Sequence, residues 1–237
     1  MENGAVTRVV DGVPQGGPVS PVLSNIYLHY VLDLWFERRF KKTCRGFAEL
    51  TRFADYFVAT FRNQDDAERF RQEMEERLAA FGLRIAPEKT AVRRFDGSLL
   101  QGGTGPRADR PATFTFLGFV HYLTRSRRGA VIIERRPSIK ARERFVGKVK
   151  RWLEANRHQP VSKQQAHLKT MLLGHYEYYG LHYCMRALSG VWYRVQKCWW
   201  WVLRRRSQKA KRRGDWATLH SRPWFQLPQP KLTQAWV

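Results

Sequence analysis

Within Thr51-Arg-Phe-Ala-Asp-Tyr-Phe-Val-Ala-Thr60 one acid, Asp55, stands among Phe53, Ala54, Phe57, Val58 and Ala59, with Phe61 next along the chain. The run is short and rich in aromatic and β-branched residues, which predicts a buried strand or a hairpin of two strands. A carboxylate at the bend of such a hairpin is costly unless something pairs with it. Mg²⁺ suits it, because that ion takes a few carboxylate oxygens plus phosphate oxygens and keeps some waters. The plainer alternative is an exposed turn aspartate with no chemistry. Two further acids, Asp65 and Asp66, look like a metal pair. Their place at a predicted helix start favours helix-end electrostatics instead.

A second candidate contact is Gly12-Val-Pro-Gln-Gly-Gly-Pro-Val-Ser-Pro21. Pro14 and Pro18 bracket Gly16 and Gly17, so backbone can approach a partner there without side-chain obstruction. Gln15 is the one long hydrogen-bonding side chain in that loop. Ser20 is the expected N-cap of the following helix, with Pro21 at its first position. Val22, Leu23, Ile26, Tyr27, Tyr30, Val31, Leu34 and Trp35 then recur at helical spacing. Residues 36–49 read as a basic connector leading to the Asp55 hairpin.

A second helix is expected from Asn63, with Ala67, Phe70, Met74, Leu78 and Phe81 as its apolar stripe and Gly82 as its stop. Leu83 to Ile85 reads as a strand, and Ala86 to Thr90 as a turn. Residues 97–110 form a glycine-rich loop. Thr113 to Tyr122 alternates as one strand, in which Gly118 permits close backbone approach. After residue 123 the pattern is helical, basic and aromatic, with helices expected over 139–155 and 163–183.

Charge divides the chain. Residues 1–120 hold 17 Lys/Arg against 15 Asp/Glu, whereas residues 121–237 hold 26 against 5 of a total net charge of +23. That asymmetry predicts a near-neutral domain joined to one that binds a polyanion, with nucleic acid ahead of an anionic membrane surface. Residues 186–213 hold ten Lys/Arg and no acid, interleaved with Trp192, Tyr193, Trp199, Trp200 and Trp201. Most of these tryptophans are expected in a core. Arg204, Arg205, Arg206, Lys209, Lys211, Arg212 and Arg213 are expected outside it, against phosphates. No apolar run is long enough to span a membrane. Cys44, Cys184 and Cys198 form no metal-type pair and predict a reduced, cytoplasmic chain.

The ordered motifs Pro14-Gln-Gly-Gly-Pro-Val-Ser-Pro21, Arg52-Phe-Ala-Asp-Tyr-Phe-Val58, Gly82-Leu with Pro87-Glu-Lys-Thr90, and Phe116-Leu-Gly-Phe119 resemble the later palm motifs of reverse transcriptases. Gly174-His-Tyr-Glu-Tyr-Tyr-Gly180 and the stretch from Trp200 to Gln208 resemble the maturase region of group II intron proteins. This resemblance implies RNA-directed DNA synthesis, a nucleotidyl transfer, together with intron RNA binding in a mobile element. By it Gln15 and Gly16, with Gly17 in the same loop, lie against the templating base and incoming nucleotide. Asp55 matches the first aspartate of the YADD-type box, a ligand of two Mg²⁺ ions that clamp the attacking and leaving oxygens. Lys89 lies near the nucleotide phosphates, and Phe116, Leu117, Gly118 and Phe119 form the primer grip. Residues 140–225 correspond to the thumb and maturase domain, whose partners are intron RNA and a DNA primer or target.

Two departures qualify the resemblance. Tyr56 stands where the family has its second aspartate, and tyrosine supplies no carboxylate. The family's other catalytic aspartate precedes the glycine loop, and only 11 residues precede Gly12 here. The expectation is therefore a truncated protein: a partial palm over 1–123 and a thumb/maturase domain over 124–237, in an α+β fold. It would serve either as an RNA-binding remnant without chemistry or as one fragment of a split polymerase. The companion in the latter case carries the fingers and the first palm motif.

Overall fold

The computed structural model describes residues 19–100, 112–213 and 215–233. The chain is α+β and divides into two compact units after Arg94. Gln15, Gly16 and Gly17 lie outside the described residues, as does most of the glycine-rich loop before residue 112.

In the first unit, α1 (Ser20–Leu28) runs into two π-type turns, His29–Asp33 and Phe36–Phe40, and ends as α2 (Lys41–Thr43). Ser20 is already helical and Val19 holds the cap position with no side-chain cap, one residue from the expected start. The expected connector over 36–49 is mostly helix instead. Its aromatic residues decide this, because Phe36 and Phe40 are buried to 0% and 2% exposure in the unit's core. Each such ring contributes about 1.5–3 kcal/mol relative to leaving it in water.

Strands β1 (Ala48–Phe53) and β2 (Tyr56–Phe61) form an antiparallel hairpin in the register Phe53↔Tyr56 to Ala48↔Phe61. Helix α3 (Gln64–Ala80) lays Phe70, Met74 and Leu78 on Phe36, Phe40 and Ala48. Phe81, expected in that stripe, is exposed just past the helix end. Asp66 is buried at the start of α3. Its carboxylate accepts from the Arg45 backbone N–H (3.0 Å) and from Arg69 (3.1 Å), so beyond its place at the helix start it ties α3 to the chain before β1. Residues 83–85 form no strand.

The second unit holds a three-stranded antiparallel sheet in the order β3 (Thr113–Phe116), β4 (Phe119–Arg125), β5 (Val131–Pro137). The expected single strand over 113–122 is broken by a two-residue turn at Leu117-Gly118, where both residues have positive φ (49° and 82°). That backbone is the primed turn that suits the twist of a hairpin. Strand β5 falls where only helix was expected. Its apolar run Val131-Ile-Ile133 is short, and the turn at Ser126–Ala130 that introduces it is carried by Gly129.

Helices α4 (Ile139–Ala155), α5 (Val161–Tyr179) and α6 (Met185–Arg204) pack together, followed by α7 (Gln208–Arg213) and α8 (Trp216–His220). Their shared core joins Val149, Leu153, Leu168, Leu172, Leu188, Val195 and Trp199 with Phe119 of β4. Buried Trp199 donates Nε1–H to Gln164 Oε1 (2.9 Å), which satisfies two polar groups at once. The sheet bearing Phe119 belongs to this helical unit, so the compact boundary lies at 94/95, ahead of the division at 123/124 read from the sequence. No described helix is long and apolar enough to cross a membrane.

Candidate functional site

The described residues that the sequence singled out fall in three groups. The first is the tip of the β1–β2 hairpin. Phe53 pairs with Tyr56, which leaves Ala54 and Asp55 as the turn. Ala54 has φ of 54°, a left-handed conformation that costs a non-glycine residue roughly 1–2 kcal/mol. Arg52 holds the turn in place. Its Nε and Nη2 donate to the two Asp33 carboxylate oxygens (2.8 and 2.7 Å), and its Nη1 donates to Asn25 Oδ1 (2.9 Å) and Ala54 O (2.8 Å). Asp55 is thereby presented to solvent between two open rings, Phe53 and Tyr56, which are 61% and 57% exposed.

Lys89 lies in the same unit, exposed, on a one-turn 3₁₀ helix, Pro87–Lys89. Its backbone N–H donates to Ala86 O (3.0 Å), and Thr90 Oγ1 donates to the same carbonyl (3.0 Å), which closes the turn. No hydrogen bond or ion pair joins Lys89 to Asp55 among the described residues.

A two-ion centre needs several carboxylate oxygens on one spot. Asp55 supplies one carboxylate, and its neighbour Tyr56 supplies none. Among the described residues no group of three or more His, Cys, Asp or Glu could hold a metal ion. The donor set present here does not fit two Mg²⁺ ions.

The second group is the turn between β3 and β4. Phe116 pairs with Phe119, and Leu117-Gly118 bridges them. The turn is seated on α5. Tyr178 Oη donates to Leu117 O (3.0 Å), and the Ser138 N–H donates to Gly118 O (2.8 Å). The Phe119 ring packs on Tyr179 with centroids 4.9 Å apart and on Tyr178 at 5.7 Å. A Cβ on Gly118 would lie 2.6 Å from Tyr179 Oη, so the seat requires glycine for space as well as for φ.

The motif Gly174 to Gly180 thereby acquires a structural account. His175 and Tyr176 are buried, and burial lowers the His175 imidazole to a pKa of about 4. Tyr178 and Tyr179 carry the turn. Gly180 lets the chain's last described residue approach, with Thr233 N–H donating to Gly180 O (2.9 Å) and Thr233 Oγ1 to Tyr176 O (2.9 Å). The sequence marked these tyrosines as a motif but carried no signal for what they touch. The Arg52 clamp was missed too, since nothing in sequence pairs it with Asp33, 19 residues away.

The third group is the basic stretch from the end of α6 into α7. Arg205, Lys209, Lys211 and Arg212 are exposed. Arg204 is drawn over the Trp200 ring at 4.8 Å, and the half-buried Arg206 donates to Gln159 O, so these two are partly committed within the protein. The Arg213 side chain lies outside the described residues. Trp199 is core, Trp192 and Trp200 are half-buried, and Trp201 is exposed. Lys197 sits among Trp216, Trp200 and Tyr193, at 3.9 Å from the first ring centre.

No curated protein matches the chain. The model of one family, reverse transcriptase (RNA-dependent DNA polymerase), matches residues 2–121, a span that takes in the first hairpin, Lys89 and the turn of the second hairpin. That span is half of the chain, which therefore belongs to the reverse transcriptase family.

Proposed function

We propose that this chain carries the later palm motifs, thumb and maturase region of a group II intron reverse transcriptase, and that it binds folded intron RNA through its helical unit. Its family comprises RNA-directed DNA polymerases, which generally use divalent metal ions and act on nucleic acid. The carrying observation is the seat of the Phe116–Phe119 turn on Tyr178 and Tyr179. It packs a palm-type motif against a maturase-type motif within one unit. The charge of that unit supports the rest, because phosphate neutralisation by Lys and Arg supplies most sequence-independent affinity.

A filter-binding titration across salt tests this reading, with intron RNA, scrambled RNA of equal length and heparin as ligands. Intron RNA is expected to bind most tightly, because the reading rests on folded shape. Neutralising Arg205, Lys209, Lys211 and Arg212 should flatten the slope of log K against log salt by about three, at ~0.7 per phosphate on single strands. Equal affinity for all three ligands would overturn the maturase reading.

Polymerisation by this chain alone is a separate matter. The lone carboxylate beside Tyr56 supports RNA binding without synthesis by these residues alone. The protein alone is expected to extend no primer on an RNA template with Mg²⁺ or Mn²⁺. Incorporation that disappears in Asp55→Ala would refute that expectation.

A further inference from the structure

The β4–β5 ribbon continues the sheet that carries the grip turn, and its far end is basic. Arg125, Arg127 and Arg128 lie at the tip and Arg135 on the outer strand, all exposed. None has an acidic partner among the described residues. Arg125 Nη1 donates to Gly129 O (3.1 Å), and Ser126 N–H donates to Ala130 O (2.8 Å), so the tip is a closed turn rather than a loose loop. The ribbon's one acid, Glu134, is occupied by the Tyr122 hydroxyl at 2.8 Å. Every cation on the ribbon is arginine, whose planar fork suits phosphate oxygens better than a lysine point charge does.

We propose that this ribbon is an arm that tracks the phosphate backbone of a duplex whose end lies at the Leu117-Gly118 turn. The inference rests on the reading of that turn as a primer grip. Strand β4 has seven residues, Phe119–Arg125. At about 3.3 Å per residue the tip lies roughly 20 Å from the grip. With ~3.4 Å of rise per nucleotide, that is about six base pairs of duplex. Arg127 and Arg128 meet phosphates there, while Arg135 meets one nearer the grip. These contacts position the duplex and read no sequence, since they reach only the backbone.

Fluorescence anisotropy on the full chain tests the arm, with RNA–DNA duplexes of about four, eight and twelve base pairs and with heparin. Wild-type affinity should step up between the four- and eight-pair duplexes. In R127Q/R128Q/R135Q the step should vanish. Its salt slope on the longer duplexes should fall by between two and three, at ~0.9 per phosphate, and its affinity at ~0.1 M salt should drop about a hundredfold. Binding of the four-pair duplex should lose only the Arg135 contact, a fall in slope of about 0.9. A chain carrying a photo-crosslinker on Arg127→Cys should mark the duplex about six pairs from its end, which gives a readout that does not depend on the triple variant folding. An unchanged step and slope, or crosslinks scattered along the duplex, overturn the arm and leave the grip reading standing. Equal losses toward heparin and every duplex length overturn it in favour of general polyanion binding. Failure of the wild type to bind any duplex overturns both readings together.

Discussion

The two hairpins of this chain share a local device and differ in what surrounds it. Each closes in two residues, and each places a non-glycine residue in the left-handed region, Ala54 at 54° and Leu117 at 49°. The first tip stands open, with exposed rings on either side of Asp55 and a single arginine beneath it. The second tip is fastened by Tyr178, Ser138 and the Tyr179 ring packed on Phe119. Strain of this kind persists only where the surroundings over-determine it. Beneath the Phe116–Phe119 turn a whole helix does that. Beneath Asp55 the Arg52 clamp does it alone. The open tip has the form of a group that meets a ligand, and the seated tip has the form of a fixed platform.

The largest expected effect lies at the platform. Gly118→Ala forces a Cβ onto Tyr179 Oη and a methyl into positive φ. It should cost about 3 kcal/mol, seen as a fall of roughly 10 °C in the melting temperature. A melt within a degree of wild type would show that the seat is soft and would erase the contrast between the tips.

The next effect is on pH dependence. His175 stacks on Phe145 and packs against Tyr179 under the platform, and burial lowers it from an ordinary 6.5 to about 4. Between those values the unfolded chain binds the extra proton, so stability rises with pH there. It is complete above about 6.5, is lost as pH falls toward 4, and changes no further below that through this group. His121, lowered by burial and by Arg135, adds the same sign. His175→Phe should therefore flatten the decline of melting temperature between pH 6.5 and 4. An undiminished decline would place the acid sensitivity elsewhere.

The smallest effect has the opposite sign to the first. Ala54→Gly removes the left-handed penalty of roughly 1–2 kcal/mol and gives back part of it as backbone entropy. A net gain of about 0.5–1 kcal/mol is expected by denaturant titration. A loss would mean that the Ala54 methyl contributes packing that its exposure conceals.

Much of this was legible in the sequence because periodicity reports burial. Phe70, Met74 and Leu78 on α3, and Val146, Val149 and Leu153 on α4, sit at helical spacing and are core. The position of Asp55 at a bend was legible for the same reason, since aromatic runs flank it on both sides. What the sequence hid was long-range or subtle in period. Leu117 gives no hint of positive φ, so the Thr113–Tyr122 run looked like one strand. Phe36 and Phe40 sit four apart among four basic residues, and the charges masked two of the most buried rings in the unit. The seat of the β3–β4 turn joins Leu117 to Tyr178 across 61 positions, a separation at which a single sequence carries no pairing signal.

The two π-type turns of the first helical segment explain how those rings find the core. In an α-helix at 3.6 residues per turn, side chains spaced strictly by four drift about 40° per step. Leu32, Phe36 and Phe40 are spaced this way, and all three are buried. The wider turns at His29–Asp33 and Phe36–Phe40 absorb that drift and keep the three in line. The Val31 carbonyl lies in the first of these turns and accepts from Arg77 Nε (2.5 Å), a bond that ties the wider turn to α3. Phase in this segment is thus set by residue count. Deleting one polar residue of this segment, such as Arg38, would leave every apolar side chain present and the helix intact. It would still turn the aromatic row away from α3, so the segment tolerates changes of composition more readily than changes of length.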